Sequence, residues 1–191
     1  MTKSNRSTYK ITVIGLMSAM VFIGNFISIP IGDISRIHFG NIFCLLSGFI
    51  LGPVSGGICA GLGGFLYDLT NPVYAKETAI TFLLKFILGF FAGLISHRRD
   101  IHGASFKLNL LGGITASVLY VIAYLGKNFI ELYWYMRNPI ETVLANLSIK
   151  AVSSAVNAII AVVLSLTLMP IFIKALKSSG IDRKLFPDTP N

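Results

Sequence analysis

Apolar segments long enough to cross a lipid bilayer recur along most of this chain. A transmembrane α-helix needs about 20 apolar residues, so six such segments with short connections would use most of the 191 residues. The composition agrees, because 54% of the residues are hydrophobic, 13% are charged and the mean hydropathy is +0.74, whereas an average soluble domain has about 25% charged residues. The chain is therefore predicted to be an all-α integral membrane protein.

Proline, glycine and polar clusters divide the sequence into six predicted transmembrane helices in a single bundle. Proline cannot continue a helical hydrogen-bond ladder, so Pro30 is expected to end the first helix. The predicted helices cover about residues 10–29, 39–51, 54–69, 78–96, 108–126 and 142–176. Together they form one transmembrane domain, 10–176, between a cytoplasmic N-terminal segment, 1–9, and a cytoplasmic C-terminal tail, 177–191.

The distribution of Lys and Arg predicts the orientation of the bundle. With both termini in the cytoplasm, most of the sixteen basic residues fall in cytoplasmic segments, as the positive-inside rule requires. The net charge of +8 then reflects a basic rim that faces anionic lipid, and nucleic acid is not needed to explain it. The first, third and fifth connections are expected outside, where they would form the recognition surface.

Two polar stripes recur at helical spacing inside the fourth and sixth predicted helices. Their members are Glu77, Thr81 and Lys85 on the fourth helix and Asn146, Lys150 and Asn157 on the sixth. A lysine at membrane depth costs about 2.5–3.5 kcal/mol on insertion scales, so it needs a counter-charge, a cavity or an interface. We expect the stripes to line a water-accessible solute cavity in the outer half of the bundle. The alternative is that Glu77 pairs with Lys85 or Lys150 and only clamps the bundle, or that the lysines extend toward the headgroups.

Polar residues of the outer connections are further candidates for the same cavity. They are Arg36, His38 and Asn41 in the first connection and Asp68, Asn71 and Tyr74 around the third. Trp134, in the aromatic segment of the fifth connection, has two interpretations. It is either part of an interfacial belt or a lid that stacks on a flat ligand ring.

The sequence contains no motif that indicates catalysis or metal binding. A phosphate loop of the form G-x-x-x-x-G-K-[ST] is absent, so this chain is not expected to hydrolyse ATP by that mechanism. An H-E-x-x-H pair, a G-x-S-x-G elbow and a C-x-x-C pair are also absent, and the three histidines have no metal-ligand spacing. We therefore expect no enzyme, no metal site and no cofactor.

Small residues are concentrated in the first and third predicted helices, where they allow backbones to approach closely. Gly15 and Ala19 on the first helix form a small-xxx-small pair that suits a partner protein, whereas the glycines of the third helix suit internal packing.

Three motifs follow one another from the first connection to the end of the third helix. An R-x-x-x-G motif places Arg36 before Gly40, an L-x-G-x-x-x-G-P turn runs over 46–53, and a glycine-rich helix ends in Asp68. This pattern resembles the substrate-binding S components of energy-coupling factor (ECF) transporters, and the resemblance is clearest over 10–96.

The resemblance implies a membrane subunit of an ECF-type ABC importer in the bacterial cell membrane. Such a subunit captures a vitamin or vitamin precursor from outside and delivers it inward with a transmembrane coupling subunit and two cytoplasmic ATPases. In that family small residues on the first helix contact the coupling subunit, and the matching positions are Gly15 and Ala19. The alternative is a stand-alone small secondary transporter or channel, which would need neither ATP nor partners.

The sequence does not identify the ligand. We find no strong match to the riboflavin-, thiamine- or biotin-binding signatures. Arg36, Lys85 and Lys150 together indicate a ligand with an acidic group, because desolvated cations select anions by charge-assisted hydrogen bonds, although Glu77 could cancel that preference. Pantothenate, folate-like and pyridoxine-like compounds are the candidates.

Overall fold

The computed structural model describes residues 3–31, 34–72, 74–98 and 105–181. Within these ranges six α-helices form one bundle, as predicted, and a two-stranded hairpin joins the first two helices. The elements are α1 (Lys3–Phe26), β1 (Ser28–Ile31), β2 (Ser35–His38), α2 (Gly40–Leu51), α3 (Pro53–Thr70), α4 (Thr78–Ser96), α5 (Phe106–Ile130) and α6 (Ile140–Ser178). Residues 182–191 of the predicted tail and residues 1–2 of the N-terminal segment lie outside the described ranges.

Four helical segments of the described chain are long and apolar enough to cross a membrane. They are Thr8–Phe26, Ala75–Ser96, Phe106–Tyr135 and Ile140–Ser178. The helix α2 is a shorter apolar helix of 12 residues. At 1.5 Å per residue, the 39 residues of α6 extend over about 58 Å, well beyond a hydrocarbon core of about 30 Å.

The first connection is the largest departure from the predicted secondary structure. The first helix was predicted to reach residue 29, but α1 ends at Phe26 and an antiparallel hairpin follows, with Ser28 opposite His38 and Pro30 opposite Arg36. Pro30 cannot donate to a strand ladder, which is tolerated in a two-stranded hairpin because both strands are edge strands. The fourth helix, predicted over 78–96, has the bounds Thr78–Ser96 in the structure.

Three helices touch backbone to backbone at the centre of the bundle. A Cβ atom added at Gly56 of α3 would lie 2.5 Å from Gly48 Cα of α2, and one added at Gly89 of α4 would lie 2.5 Å from the Gly56 carbonyl oxygen. The glycines of the third helix therefore pack internally, as predicted, and α2 is buried along nearly its whole length. The centre of the bundle is therefore tightly packed. Polar residues of the helices lie together at the end of the bundle that carries the hairpin.

Candidate functional site

A cavity of about 140 Å³ lies at the hairpin end of the bundle. Its lining comes from the hairpin, from α1 to α6 and from the connection before α4. It includes ten of the residues proposed from the sequence, namely Arg36, His38, Asn41, Asp68, Tyr74, Glu77, Thr81, Lys85, Lys150 and Asn157. Beside the cavity, the side chains of Ser35 and Ser153 are in contact, although they are 118 positions apart in the sequence.

Three of the proposed residues do not line this cavity. Asn71 follows the end of α3, where its backbone N–H donates to the Asp68 carbonyl at 3.1 Å, and Asn146 donates its side-chain amide to the Thr142 carbonyl of its own helix at 3.0 Å. Trp134 is 72% exposed on a π-helical turn, Glu131–Tyr135, that directly continues α5. The predicted fifth connection is thus helical for most of its length, and the belt and the lid both stay predictions for Trp134.

Lys85 is held inside the bundle by two asparagine side chains. It is 4% exposed and donates to Asn41 Oδ1 at 2.8 Å and to Asn25 Oδ1 at 3.2 Å. The Asn25 amide nitrogen in turn donates to the Val21 carbonyl at 2.7 Å, which fixes the orientation of the amide. Within the described residues no carboxylate forms an ion pair with Lys85, so neutral amide oxygens are its protein partners.

Two glycines of the motifs leave space for this arrangement. A Cβ at Gly40 would collide with the Asn25 amide, and a Cβ at Gly64 would lie 2.9 Å from Lys85 Cγ. The R-x-x-x-G glycine and the glycine-rich third helix therefore support the buried lysine directly.

The ion pairs at this end of the bundle differ from the clamp considered from the sequence. Glu77 pairs with Lys127 of α5 at 2.6 Å, and Lys127 also pairs with Glu131 at 2.6 Å. Lys150 donates to Asn128 Oδ1. The expected alternative, a pair between Glu77 and Lys85 or Lys150, is therefore wrong in its partner, because α5 supplies the cation.

The hairpin is fastened to α6 by one asparagine side chain. Asn157 Oδ1 accepts from the His38 backbone N–H at 2.9 Å, and Asn157 Nδ2 donates to the Arg36 carbonyl at 2.9 Å. The Asn157 amide thus pairs with the free edge of β2 much as a neighbouring strand would. One helical turn earlier, Ser153 Oγ lies 2.5 Å from Ser35 Oγ. Both ends of the Asn157 amide are occupied by protein.

Arg36 is similarly occupied by aromatic rings. Its guanidinium carbon lies 4.4 Å from the centre of the Tyr67 ring and 4.7 Å from that of Tyr74, and it donates to the Tyr67 hydroxyl. Cation–π contacts of this kind stabilise a partly desolvated cation. Arg36 therefore ties the hairpin to α3 and to the following connection.

His38 differs from these residues because one of its ring nitrogens has no partner among the described residues. The side chain is 9% exposed, and Nδ1 is buried without a hydrogen bond. Burial lowers the pKa of His38 well below its ordinary value of 6.5, and the charges of Lys85 and Arg36 lower it further. The imidazole in the hairpin is therefore neutral at pH 7.

Several residues of the cavity lining were not predicted from the sequence. Asn25, Tyr120, Tyr124, Lys127 and Asn128 all line the cavity. Asn25 could have been predicted from the sequence, since a lone amide in an apolar membrane helix needs a polar partner. The tyrosines carry an i, i+4 spacing, and their rings stack at 6.1 Å between centroids with planes 10° apart, but the spacing shows only that they share a helix face and not what that face contacts.

Comparison with known families decides what kind of protein this is. A model of the family described as the S component of ECF-type riboflavin transporters matches residues 5–174. The chain belongs to this family of ECF transporter S components. The match covers nearly the whole bundle, whereas the motifs quoted above were clearest in the first half and no riboflavin signature was recognised among them.

The fold of this S component agrees with a solved relative. A structure reported as that of the S component of a bacterial ECF transporter superposes with a TM-score of 0.60 at 20% identity, covering 90% of this chain and 99% of the other. This similarity shows the shared fold. A search of curated proteins finds no match. The family match over residues 5–174 supports the predicted transport role in a membrane.

Proposed function

We propose that this S component captures riboflavin from outside the cell and delivers it inward as the substrate-binding subunit of an ECF importer. The observation that carries the proposal is that a chain matching the riboflavin S-component family gathers a set of hydrogen-bonding side chains around one cavity. In this proposal both termini are cytoplasmic, the bacterial cell membrane is the location, and the hairpin end faces outward.

The cavity chemistry suits a planar ring that is rich in acceptors. Lys85 and Lys150 use amide oxygens of Asn25, Asn41 and Asn128 as partners, so each ammonium keeps donor capacity for a ligand oxygen. Riboflavin supplies ring carbonyls and chain hydroxyls without a formal negative charge. The competing outcome is the acidic ligand predicted from the sequence. It is the less favoured outcome because Arg36 and Lys127, two of the cations in the cavity lining, already have protein partners.

The size of the cavity indicates that binding changes the structure around it. About 140 Å³ is below the roughly 300–1,000 Å³ typical of small-molecule sites. A flavin therefore requires the rim to move outward, and the hairpin, held to α6 through Asn157 and the Ser35–Ser153 contact, forms part of that rim.

Binding is tested by titrating purified protein into riboflavin and following the quenching of flavin fluorescence. Lys85→Met removes the buried ammonium while keeping the side-chain volume, and we expect a tenfold or greater loss of affinity, about 1.4 kcal/mol. Lys76→Met is the matched control, because Lys76 is exposed nearby and does not line the cavity. Folded wild-type protein that shows no saturable riboflavin binding would refute the riboflavin assignment, and saturable binding of pantothenate instead would favour the acidic ligand.

The partner surface in this proposal is the small-residue face of α1. Gly15 and Ala19 are both exposed, and a Cβ at Gly15 would meet nothing within 4 Å. A flat, uncovered strip of this kind suits close contact with another membrane helix. We therefore assign it to the coupling subunit, which is joined in turn by two ATPases.

Assembly is tested by co-purification with the coupling subunit and ATPases. Gly15→Leu should abolish assembly and leave riboflavin binding unchanged. Gly126→Leu is the matched control, since Gly126 on α5 is also exposed and a Cβ atom added there would meet nothing within 4 Å. Riboflavin uptake into liposomes by the isolated chain without ATP would instead support the stand-alone transporter.

A further inference from the structure

Two polar groups of the cavity lining are buried and incompletely satisfied by protein. His38 Nδ1 has no hydrogen-bond partner within the described ranges, and Lys85, 4% exposed, has two acceptors for three N–H groups. The neighbouring polar side chains differ, because Asn157 and Arg36 already have partners at their polar groups. Buried polar groups in native proteins are nearly always paired, so this pair points to a ligand.

The two groups offer opposite hydrogen-bonding chemistry. Lys85 is a donor, and a neutral imidazole has one donor and one acceptor nitrogen. The positive charges of Lys85 and Arg36 disfavour a second N–H on the ring, and we take Nδ1, which has no protein partner within the described residues, as the nitrogen that keeps its lone pair. His38 Nδ1 is then an acceptor in the same cavity lining that carries the Lys85 ammonium donor.

We propose that His38 and Lys85 together recognise an N–H group and an adjacent carbonyl on the ligand ring, with His38 Nδ1 accepting from the N–H and Lys85 donating to the oxygen. This inference rests on the proposed function, since the flavin ring carries such an edge at its cyclic imide, where N3–H lies between two carbonyls. His38 thereby becomes a specificity-determining residue, and the imide end of the flavin enters the cavity first.

The proposal is tested by comparing riboflavin with N3-methylriboflavin, in which the imide donor is blocked. Wild-type protein should bind the methylated flavin at least tenfold more weakly, which corresponds to one unpaired buried group. His38→Leu should bind riboflavin more weakly and lose the discrimination between the two flavins. His38→Asn should restore part of it, because Asn Oδ1 can occupy the position of Nδ1. Ile37→Leu is the hairpin control, since Ile37 does not line the cavity, and it should behave as wild type.

The outcomes separate this inference from the proposed function. Equal affinity of the wild type for both flavins overturns the inference and leaves the riboflavin assignment intact. Discrimination that persists in His38→Leu also overturns it, because the methyl group would then be rejected for steric reasons. Absence of riboflavin binding overturns both. If His38→Leu does not fold, riboflavin labelled with ¹⁵N at N3 gives a second measurement on the wild type. A downfield, slowly exchanging N3–H signal is expected, and a freely exchanging one overturns the inference.

Discussion

The crossing of α2, α3 and α4 provides the sharpest test of how the bundle is held together. We consider Gly56→Ala, which adds one methyl group at the point where α3 meets α2. The new Cβ would lie 2.5 Å from Gly48 Cα, 2.7 Å from Gly48 N and 2.8 Å from the Ser47 carbonyl oxygen. All three atoms belong to the backbone, so no side chain can rotate away, and α3 must move by about 1 Å to restore normal contact.

The size of the effect follows from three contributions. Overpacking of a close-packed interior costs about 1–3 kcal/mol. Moving α3 also strains the contact of Ser47 Oγ with the Gly56 carbonyl, 3.0 Å long, for which the hydroxyl proton is shared with the Cys44 carbonyl at 2.7 Å, and its loss costs at most about 1 kcal/mol. Replacing a helical glycine by alanine returns about 1 kcal/mol. We therefore expect a net loss of about 1–3 kcal/mol and a fall in Tm of roughly 2–12 °C for a chain of this length.

The two cysteines provide the assay for this prediction. Cys44 and Cys59 are both free and have 0% exposure, so a thiol-reactive fluorophore labels them when the bundle opens on heating in detergent. Gly126→Ala is the control, because a Cβ there would have nothing within 4 Å, and it should be as stable as wild type or slightly more stable. Equal Tm values for Gly56→Ala and Gly126→Ala would refute the backbone-contact argument.

Three further predictions concern the hairpin and the cavity rim. The pKa of His38 lies well below 6.5 in the folded protein, so the unfolded chain binds more protons than the folded one below pH 6.5. As the pH is lowered through this window, the free energy of unfolding should fall by up to about 1.4 kcal/mol per pH unit. His38→Asn should remove this slope, so parallel Tm profiles between about pH 5 and pH 7.5 would contradict it. Asn157→Leu leaves a strand N–H and a carbonyl unpaired, and should destabilise the hairpin by about 2–5 kcal/mol, seen as faster hydrogen exchange over 28–38 than in Asn157→Gln or wild type. Glu131→Gln should cost less than about 1 kcal/mol, because Lys127 keeps Glu77 as a partner; a larger fall in Tm would show that the two carboxylates act as one unit.

The helices could be predicted from the sequence because their signals are local. Apolar length, proline and glycine positions and polar spacing all operate within one segment, which is why the fourth helix was placed at its observed bounds, Thr78–Ser96. The hairpin was missed because its four-residue strands are too short for a period-2 pattern to be distinguished from a loop. They are hydrogen-bonded to Asn157, which lies about 120 residues away in the sequence.

The partners of the polar residues could not be predicted, because they depend on how each helix is rotated and on which helices meet. The spacing of Glu77 and Lys85 indicated a polar face, but tertiary packing assigned Glu77 to Lys127 and Lys85 to Asn25, 60 positions away. By itself the sequence determined that the chain enters a membrane as helices and that its few buried cations require compensation. Only the tertiary structure decided that, among the residues it describes, amide oxygens provide this compensation for Lys85 and Lys150 and that His38 Nδ1 is left without a protein partner, since those contacts arise between elements and not within them.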